Sequence, residues 1–300
     1  MAATLIYNPV AGKSSREKQL QAIRGTLERL GIPHCFKPTR GARDGTRLAK
    51  EAVSEGSDLV IAVGGDGTVN EVVNGLVGSD VKLALIPLGT GNLAAHEFGI
   101  PPDPVLAAEA IPKCRVERID VGKANDRYFL MMVSIGLDAK ALRDVPKWAF
   151  EAFHWWAFFW TGLFSLFRSK QIPFYVKTEK ETIGLKTRLL VISNIKGYGL
   201  PGCQFFSNAD SADGLLDCGL FKSQSVVSYL GNLLRLGEKR PIEDRLVHHH
   251  RFSRAEITTE MPISVQLDGD FYGYTPLTVS VVPKSLSILA FPQDPATSVD

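Results

Sequence analysis

Three glycine-bearing stretches concentrate the residue types that handle phosphate. The densest, Gly64-Gly65-Asp66-Gly67-Thr68 with Asn70-Glu71 behind it, sets three glycines in four positions around one carboxylate. Without Cβ atoms in the way, backbone amides approach a polyphosphate closely, and a carboxylate held among them organises a metal or takes a proton. A purely structural strand-to-helix turn needs less glycine, so the pattern points to function. Asn8-Pro9-Val10-Ala11-Gly12-Lys13-Ser14-Ser15 adds a tight turn into a helix start with a nearby ammonium, and both features attract phosphate. It is not a Walker loop, because G-x-x-x-x-G-K requires glycine where Tyr7 stands. The third stretch, Pro87-Leu88-Gly89-Thr90-Gly91-Asn92-Leu93-Ala94, offers more amides and a hydroxyl. Alone it satisfies the dinucleotide pattern G-x-G-x-x-A, yet it follows a fourth strand rather than a first, and no acidic residue ends a following strand.

These loops need parallel strands behind them. Short apolar runs at Leu5 to Asn8, His34 to Thr39, Asp58 to Val63 and Val81 to Ile86 alternate with amphipathic segments, which is the pattern of βαβ units. Helical stripes fall at Leu20, Ile23, Leu27 and Leu30, over Arg43 to Glu55, and at Val69, Val72, Val73 and Leu76. A short helix over Asn92 to Phe98 and one more through Ile111 follow. All three loops then lie at the carboxyl edge of one sheet, where open α/β folds bind ligands. From Val116 the pattern changes to short alternating strands: Val116 to Val121, Tyr128 to Val133, Leu189 to Ser193, Leu215 to Phe221, Ala255 to Thr259, Ile263 to Leu267, Leu277 to Val282 and Ser285 to Ala290. Asn125-Asp126 reads as a hairpin turn. The reading is therefore an α/β domain over residues 1–122, rejoined by a C-terminal strand in 284–295, and an all-β domain over 123–283.

At 300 residues the chain is long enough for two domains, and 45% hydrophobic with 22% charged residues is ordinary globular composition, which excludes disordered and collagen-like classes. A formal charge of +2 argues against a nucleic-acid partner. Cys35, Cys114, Cys203 and Cys218 lie far apart with no C-x-x-C pair, so neither a disulfide framework nor a zinc ribbon is expected. Together with an N-terminus that lacks an export signal, this predicts a reducing, cytoplasmic setting.

Residues 148–167 (WAFEAFHWWAFFWTGLFSLF) break the pattern: they are overwhelmingly apolar and hold every Trp of the chain. A spanning helix there would separate strands that must pair, so two other readings compete. Either a helix over 147–168 is buried against the β-sheet, or part of its aromatic surface lies in a bilayer interface, with Lys147, Arg168 and Lys170 facing anionic headgroups.

Taken together, NPVAGK (Asn8 to Lys13), VGGDGTVNEVVNGL (Val63 to Leu76) and IPLGTGNLA (Ile86 to Ala94) resemble the diacylglycerol kinase catalytic-domain family, which includes bacterial lipid kinases and sphingosine and ceramide kinases. IDVGKANDRYFL from Ile119, SIGLDA from Ser134, DGLLD from Asp213 and LDGD from Leu267 extend the resemblance in the family's order over essentially the whole chain. The resemblance implies a nucleotide-binding α/β domain like that of phosphofructokinase and NAD kinase, a C-terminal β-sandwich, and a nucleotide cleft between them. It implies ATP and Mg²⁺ as cofactors and a membrane lipid as acceptor, either diacylglycerol or a sphingoid-type long-chain alcohol. Residue by residue, it assigns Asn8, Gly12, Lys13 and Thr39 to the nucleotide, Gly64, Gly65, Asp66, Gly67 and Thr68 to its phosphates, and Thr90, Gly91 and Asn92 to its other side. Asp66, Asp120 and Asp268 become an acidic cluster that positions Mg²⁺ through water and receives the acceptor's proton, with Asp66 and Asp268 competing for the base role. Asp213 matches a second, structural metal site of some bacterial members, against the plainer reading of an Asp-Gly turn. Leu93 departs from the family, many of whose bacterial members carry Asp after the Gly-Thr-Gly-Asn run; one acidic group is missing, and the acceptor lipid is left open.

His248-His249-His250 reads as a solvated strand or loop, since adjacent strand residues point to alternate faces and cannot converge on one ion. His154 and the His96-Glu97 pair take no role. The expectation is thus an ATP- and Mg²⁺-dependent lipid kinase, peripherally membrane-associated through 147–170, with a homodimer left open. Its rivals are an NAD kinase-like enzyme with a soluble substrate and a nucleotide-dependent membrane-binding module whose catalysis has lapsed.

Overall fold

The computed structural model describes residues 3–9, 16–145, 170–198, 200–204, 206, 208–221 and 247–292. Two compact units emerge: Met1–Val121 with Gly199–Gly202 and Pro283–Asp300, and Gly122–Tyr198 with Cys203–Val282.

Through the first unit run β1 (Ala3–Tyr7), α1 (Arg16–Arg29), β2 (His34–Pro38), α2 (Asp44–Ser54), β3 (Leu59–Gly64), α3 (Asp66–Leu76), β4 (Lys82–Pro87), α4 (Leu93–Glu97), α5 (Pro104–Ala110) and the start of β5 (Arg115–Ala124). Strand order is β2-β1-β3-β4, all parallel, with Tyr7 level with Pro38 and Val63, and Gly64 level with Pro87. Every residue of β3 is buried, as a central strand covered on both faces should be. The helical stripes hold: Leu48, Ala49 and Ala52 of α2 and Val69, Val72, Val73 and Leu76 of α3 are buried. These two helices approach closely because Gly75 has no Cβ; one placed there would sit 2.5 Å from the Ala49 Cβ. At α5, Asp103 Oδ1 accepts the Val105 and Leu106 N–H groups at 2.9 Å and Pro104 opens the helix, a sequence-coded start.

The chain goes on through β6 (Arg127–Phe129), β7 (Met132–Gly136), α6 (Leu137–Asp144), β8 (Ile172–Thr178), β9 (Thr182–Thr187), β10 (Leu189–Ser193), β11 (Gly197–Tyr198), β12 (Leu200–Gln204), β13 (Leu216–Phe221), β14 (Val247–Phe252), β15 (Arg254–Thr259), β16 (Ser264–Leu267), β17 (Asp270–Tyr274) and β18 (Leu277–Ala290), all in the second unit except the start of β12 and the end of β18, which belong to the first. One antiparallel sheet has the order β14-β13-β10-β7-β16-β17. Strands β9, β8, β15 and the first half of β18 form the second layer. Phe174, Val176, Ala255, Ile257, Leu277 and Val279 from this layer join Val133, Ile135, Leu190, Ile192, Leu216, Leu220, Val265 and Leu267 from the other in one buried cluster. This is a β-sandwich. Asn125-Asp126 is the expected hairpin turn, with Asn125 at φ 50 and Ala124 opposite Arg127.

Two expectations are corrected. Leu277 to Val282 and Ser285 to Ala290 are halves of one strand, β18, which passes through Lys284 at φ 47 and ends beside β4 in parallel. Strands β8, β9 and β17 and helix α6 were not among the predicted elements. The aromatic stretch 148–167, with Lys147 and Arg168, lies outside the described residues. Among the described residues no helix is long and apolar enough to cross a membrane.

Candidate active site

Strands β3 and β4 deliver two of the glycine loops to one place. Leu88 N–H donates to the Gly64 carbonyl at 2.9 Å, tying the loops together where the strands end. They then touch backbone to backbone: a Cβ on Gly89 would lie 2.6 Å from the Gly65 Cα, and one on Gly65 would lie 3.2 Å from the Gly89 Cα. No side chain fits between them. Asn92, at φ 49, braces the second loop by accepting the Gly89 N–H at 3.0 Å and donating to the Gly89 carbonyl at 2.9 Å.

Asp66 is the first residue of α3, and its half-buried carboxylate reaches across to the start of α4. Oδ1 accepts the Ala94 N–H at 3.1 Å, while Oδ2 stands 3.2 Å from where a Gly91 Cβ would be. Burial pushes the Asp66 pKa above the ordinary 3.8, and the N–H groups of Ala94, Leu93 and Asn92 pull the other way without cancelling it. A carboxylate in this state accepts a proton more readily than a solvated one. Leu93 supplies a backbone N–H to Asp66.

Gly67 differs from its neighbours. It is exposed, its φ is not positive, and a Cβ built on it would meet nothing within 4 Å. The fold does not require glycine there, so the open space above it is available to a ligand. Thr68 is half-buried, with its side chain against Gly64, whose own Cβ would fall 2.5 Å from Thr68 Oγ1. Thr90 is exposed and Gly91 half-buried. Thr39, buried, donates its N–H to the Tyr7 carbonyl at 2.8 Å, and half-buried Asn8 follows Tyr7 at the same edge. Gly12 and Lys13 lie outside the described residues.

The other two members of the predicted acidic cluster are tied to the backbone. Asp120, fully buried on β5, accepts the Lys284 N–H at 2.7 Å and so fixes the left-handed residue inside β18. Asp268 belongs to the second unit, in the two-residue Asp268-Gly269 turn between β16 and β17, where φ is 48 and 88. Its buried carboxylate accepts three N–H groups, from Leu130 to Oδ2 at 2.7 Å and from Met131 and Met132 to Oδ1 at 2.9 and 2.8 Å. Asp270, two residues on, is exposed and faces Arg127 at 3.4 Å.

Asp213 forms the Asp-Gly turn of the plainer reading, Oδ1 accepting the Leu215 N–H at 3.0 Å, while Oδ2 pairs with the Arg251 guanidinium. Arg251 also meets Asp217 at 3.3 Å across the β13–β14 pair. A cation already faces both carboxylates, and among the described residues no group of three or more His, Cys, Asp or Glu side chains is arranged to hold a metal. The histidine run forms the edge strand β14, His249 packing edge-on to Phe206 and His250 lying 3.3 Å from Glu181.

Comparison with known proteins shows the family. The profile of the diacylglycerol kinase catalytic domain matches residues 2–124, and that of the YegS C-terminal NAD kinase beta sandwich-like domain matches residues 131–290. A diacylglycerol kinase of Mycobacterium tuberculosis is 30% identical over 95% of this chain and 94% of its own length. One from Bacillus subtilis is 28% identical over 91% of each. Of two similar crystal structures from Bacillus anthracis strain Sterne, one has a TM-score of 0.82 at 27% identity, covering 98% of this chain and 96% of its own. The other, of a diacylglycerol kinase, has a TM-score of 0.75 at 25% identity, covering 98% and 97%. With both of its halves matched in order and a relative aligned along nearly its full length, this chain is an enzyme of the diacylglycerol kinase family of lipid kinases.

Proposed function

We propose that the enzyme transfers the γ-phosphoryl group of ATP to a hydroxyl of a membrane lipid, diacylglycerol or a long-chain alcohol of sphingoid type, with Asp66 as the base. The observation that carries the reading is the combination of two glycine loops in backbone contact, the half-buried Asp66 carboxylate between them, and open space at Gly67 that the fold leaves unused.

Phosphoryl transfer asks the protein chiefly for positioning and charge neutralisation. Amides of Gly64 to Thr68 lie against the nucleotide's phosphates, with Thr90, Gly91 and Asn92 on one side and Asn8 and Thr39 on the other; the family resemblance adds Gly12 and Lys13 as nucleotide-binding residues. Asp66 takes the proton of the lipid hydroxyl as its oxygen bonds to the γ-phosphorus, and ADP leaves with the electron pair of the broken bond. One carboxylate suits Mg²⁺, which binds through one or two carboxylates with substrate phosphates and water rather than in a protein cage. Asp66 would position that ion through a water molecule, keeping its carboxylate free for the proton; the ion when bound neutralises the charge of the phosphate oxygens. Tied to three amides, Asp268 serves as a structural anchor, and fully buried Asp120 does the same within β5 and β18.

A lipid acceptor requires contact with a bilayer, and the Trp-rich stretch between Lys147 and Lys170 supplies aromatic rings and cations suited to an anionic interface on the cytoplasmic side. The test is transfer of labelled γ-phosphate from ATP into mixed micelles carrying diacylglycerols, ceramides or sphingoid bases, with NAD as a soluble rival. Labelled phospholipid is the expected product. NADP with no lipid product, or ATP binding without transfer to any lipid of the panel, overturns the reading.

A further inference from the structure

The loop after β2 holds an arginine in a conformation that arginine does not favour. Arg43, at the N-cap of α2, has φ 65 and ψ 3, the left-handed region that glycine enters freely and a Cβ resists. Its surroundings impose this. Glu71 Oε1 accepts the Arg43 N–H and Oε2 the Gly45 N–H, both at 2.8 Å; the Thr46 hydroxyl donates to the Glu71 carbonyl at 2.8 Å, and Arg40 N–H donates to Asp44 Oδ2 at 2.8 Å. The Arg43 and Gly45 amides are therefore satisfied from within, and what Arg43 leaves exposed is its side chain.

That side chain is exposed, and among the described residues no carboxylate pairs with it. One turn further on, Arg47 contrasts with it, taken by Asp44 at 2.7 Å and by Glu51. The location is also particular. β2 ends level with β1, and through β1 with β3, so residues 39–43 leave the same carboxyl edge as the Gly64 loop. Glu71, which anchors the Arg43 backbone, lies on α3 five residues beyond Asp66, about 7.5 Å along the helix axis. An arginine arm spans such a distance.

We propose that Arg43 is a phosphate-binding residue of the nucleotide site, its guanidinium gripping oxygens of the ATP triphosphate. The inference rests on the lipid-kinase reading of Asp66 and extends it. A planar fork of N–H donors matches phosphate oxygens, and a backbone held in a disfavoured region by its neighbours is a recurrent feature of ligand-binding positions. An anionic lipid headgroup presents the same phosphate chemistry, so the experiment separates the two sources.

R43G removes the charge and relieves the backbone together, which keeps the fold out of the result. Its melting temperature should equal or exceed that of the wild type. Titration with MgATP should show binding weakened by about 10- to 100-fold, the loss of one or two charge-assisted hydrogen bonds. The KM for MgATP should rise in parallel, while the KM for lipid and binding to phosphatidylglycerol vesicles stay unchanged. R43K, which keeps the charge without the fork, should fall between. R43G binding MgATP as tightly as the wild type, or losing vesicle binding instead, overturns the role of Arg43 alone. Wild-type protein that binds no MgATP overturns the lipid-kinase reading as well.

Discussion

Two Asp-Gly pairs, Asp66-Gly67 and Asp268-Gly269, look interchangeable in the sequence and are opposites in the structure. In the first, the carboxylate is half-buried, faces the N–H groups of Asn92, Leu93 and Ala94 with Oδ1 accepting from Ala94 at 3.1 Å, and has its pKa raised by burial all the same. The glycine beside it is helical, exposed and not required by the fold. In the second, both residues have positive φ, as a tight hairpin turn demands, and the buried carboxylate accepts three amides. The first pair leaves chemical capacity unspent, whereas the second spends it on the fold. The proposed assignment of the base to Asp66 rests on that difference: the fold does not need the glycine beside Asp66, whereas the hairpin needs both residues of the second pair.

The strongest way to break this contrast is to neutralise each aspartate. D66N should lower turnover by about 10²- to 10⁴-fold, the usual worth of a general base, with little loss of stability. Assays in mixed micelles alongside thermal melts would check it. D268N should do the reverse: its NH₂ cannot accept, at least one buried N–H loses its partner, and stability should fall by about 1–3 kcal/mol. Turnover per folded molecule should move less than tenfold. A D268N protein that melts like the wild type yet is inactive would reassign the base.

A finer cut uses the glycines. G67A places a methyl in the open space above α3, so stability should hold or rise by up to about 1 kcal/mol, the gain of Ala over Gly in a helix. The KM for ATP should nevertheless increase about tenfold, because the methyl occupies the space assigned to phosphate. G89A must instead push two backbones apart against a 2.6 Å contact, and should lower the melting temperature and ATP affinity together. Equal behaviour of the two variants in both assays would remove the argument from Gly67.

What the sequence made legible follows the same division. The parallel strands, their helices and the Gly64 and Gly89 loops are coded locally, by apolar periodicity and by glycine next to Asp or Thr, and all of them stand in the structure. The anchoring of Asp268 was not legible, because its partners Leu130 to Met132 lie 136 to 138 residues away. Strands β8 and β9 were missed although Ile183 and Leu185 alternate with polar or glycine neighbours; Pro173 and Gly184 weaken the strand signal, so pairing rather than propensity makes them strands. Pro283-Lys284 reads as a break between two strands, yet Asp120 supplies from a distant position the acceptor that carries β18 through it. Glu71 stood in plain view behind the glycine loop, but its task of holding Arg43 and Gly45 depends on how α2 and α3 pack.

The smallest expected effect, and the most specific, concerns pH. Burial raises the folded-state pKa of Asp66 above 3.8, its ordinary value and the one it regains on unfolding. Between those two values the folded protein binds a proton that the unfolded chain does not. The stability contributed by this group is therefore fully present below 3.8 and is lost as pH rises through the folded pKa. Asparagine at position 66 mimics the protonated state at every pH. The melting temperature of D66N relative to wild type should accordingly be highest at neutral pH and decline on acidification through that window, becoming constant below 3.8. The wild-type kcat/KM should fall on the acid side with an inflection in the same window, since the base must be ionised to take the lipid's proton. A gap between the two melting curves that widens with acid would mean that the amides of α4 outweigh burial, and Asp66 would then be a helix cap comparable to the anchored Asp268 rather than its opposite.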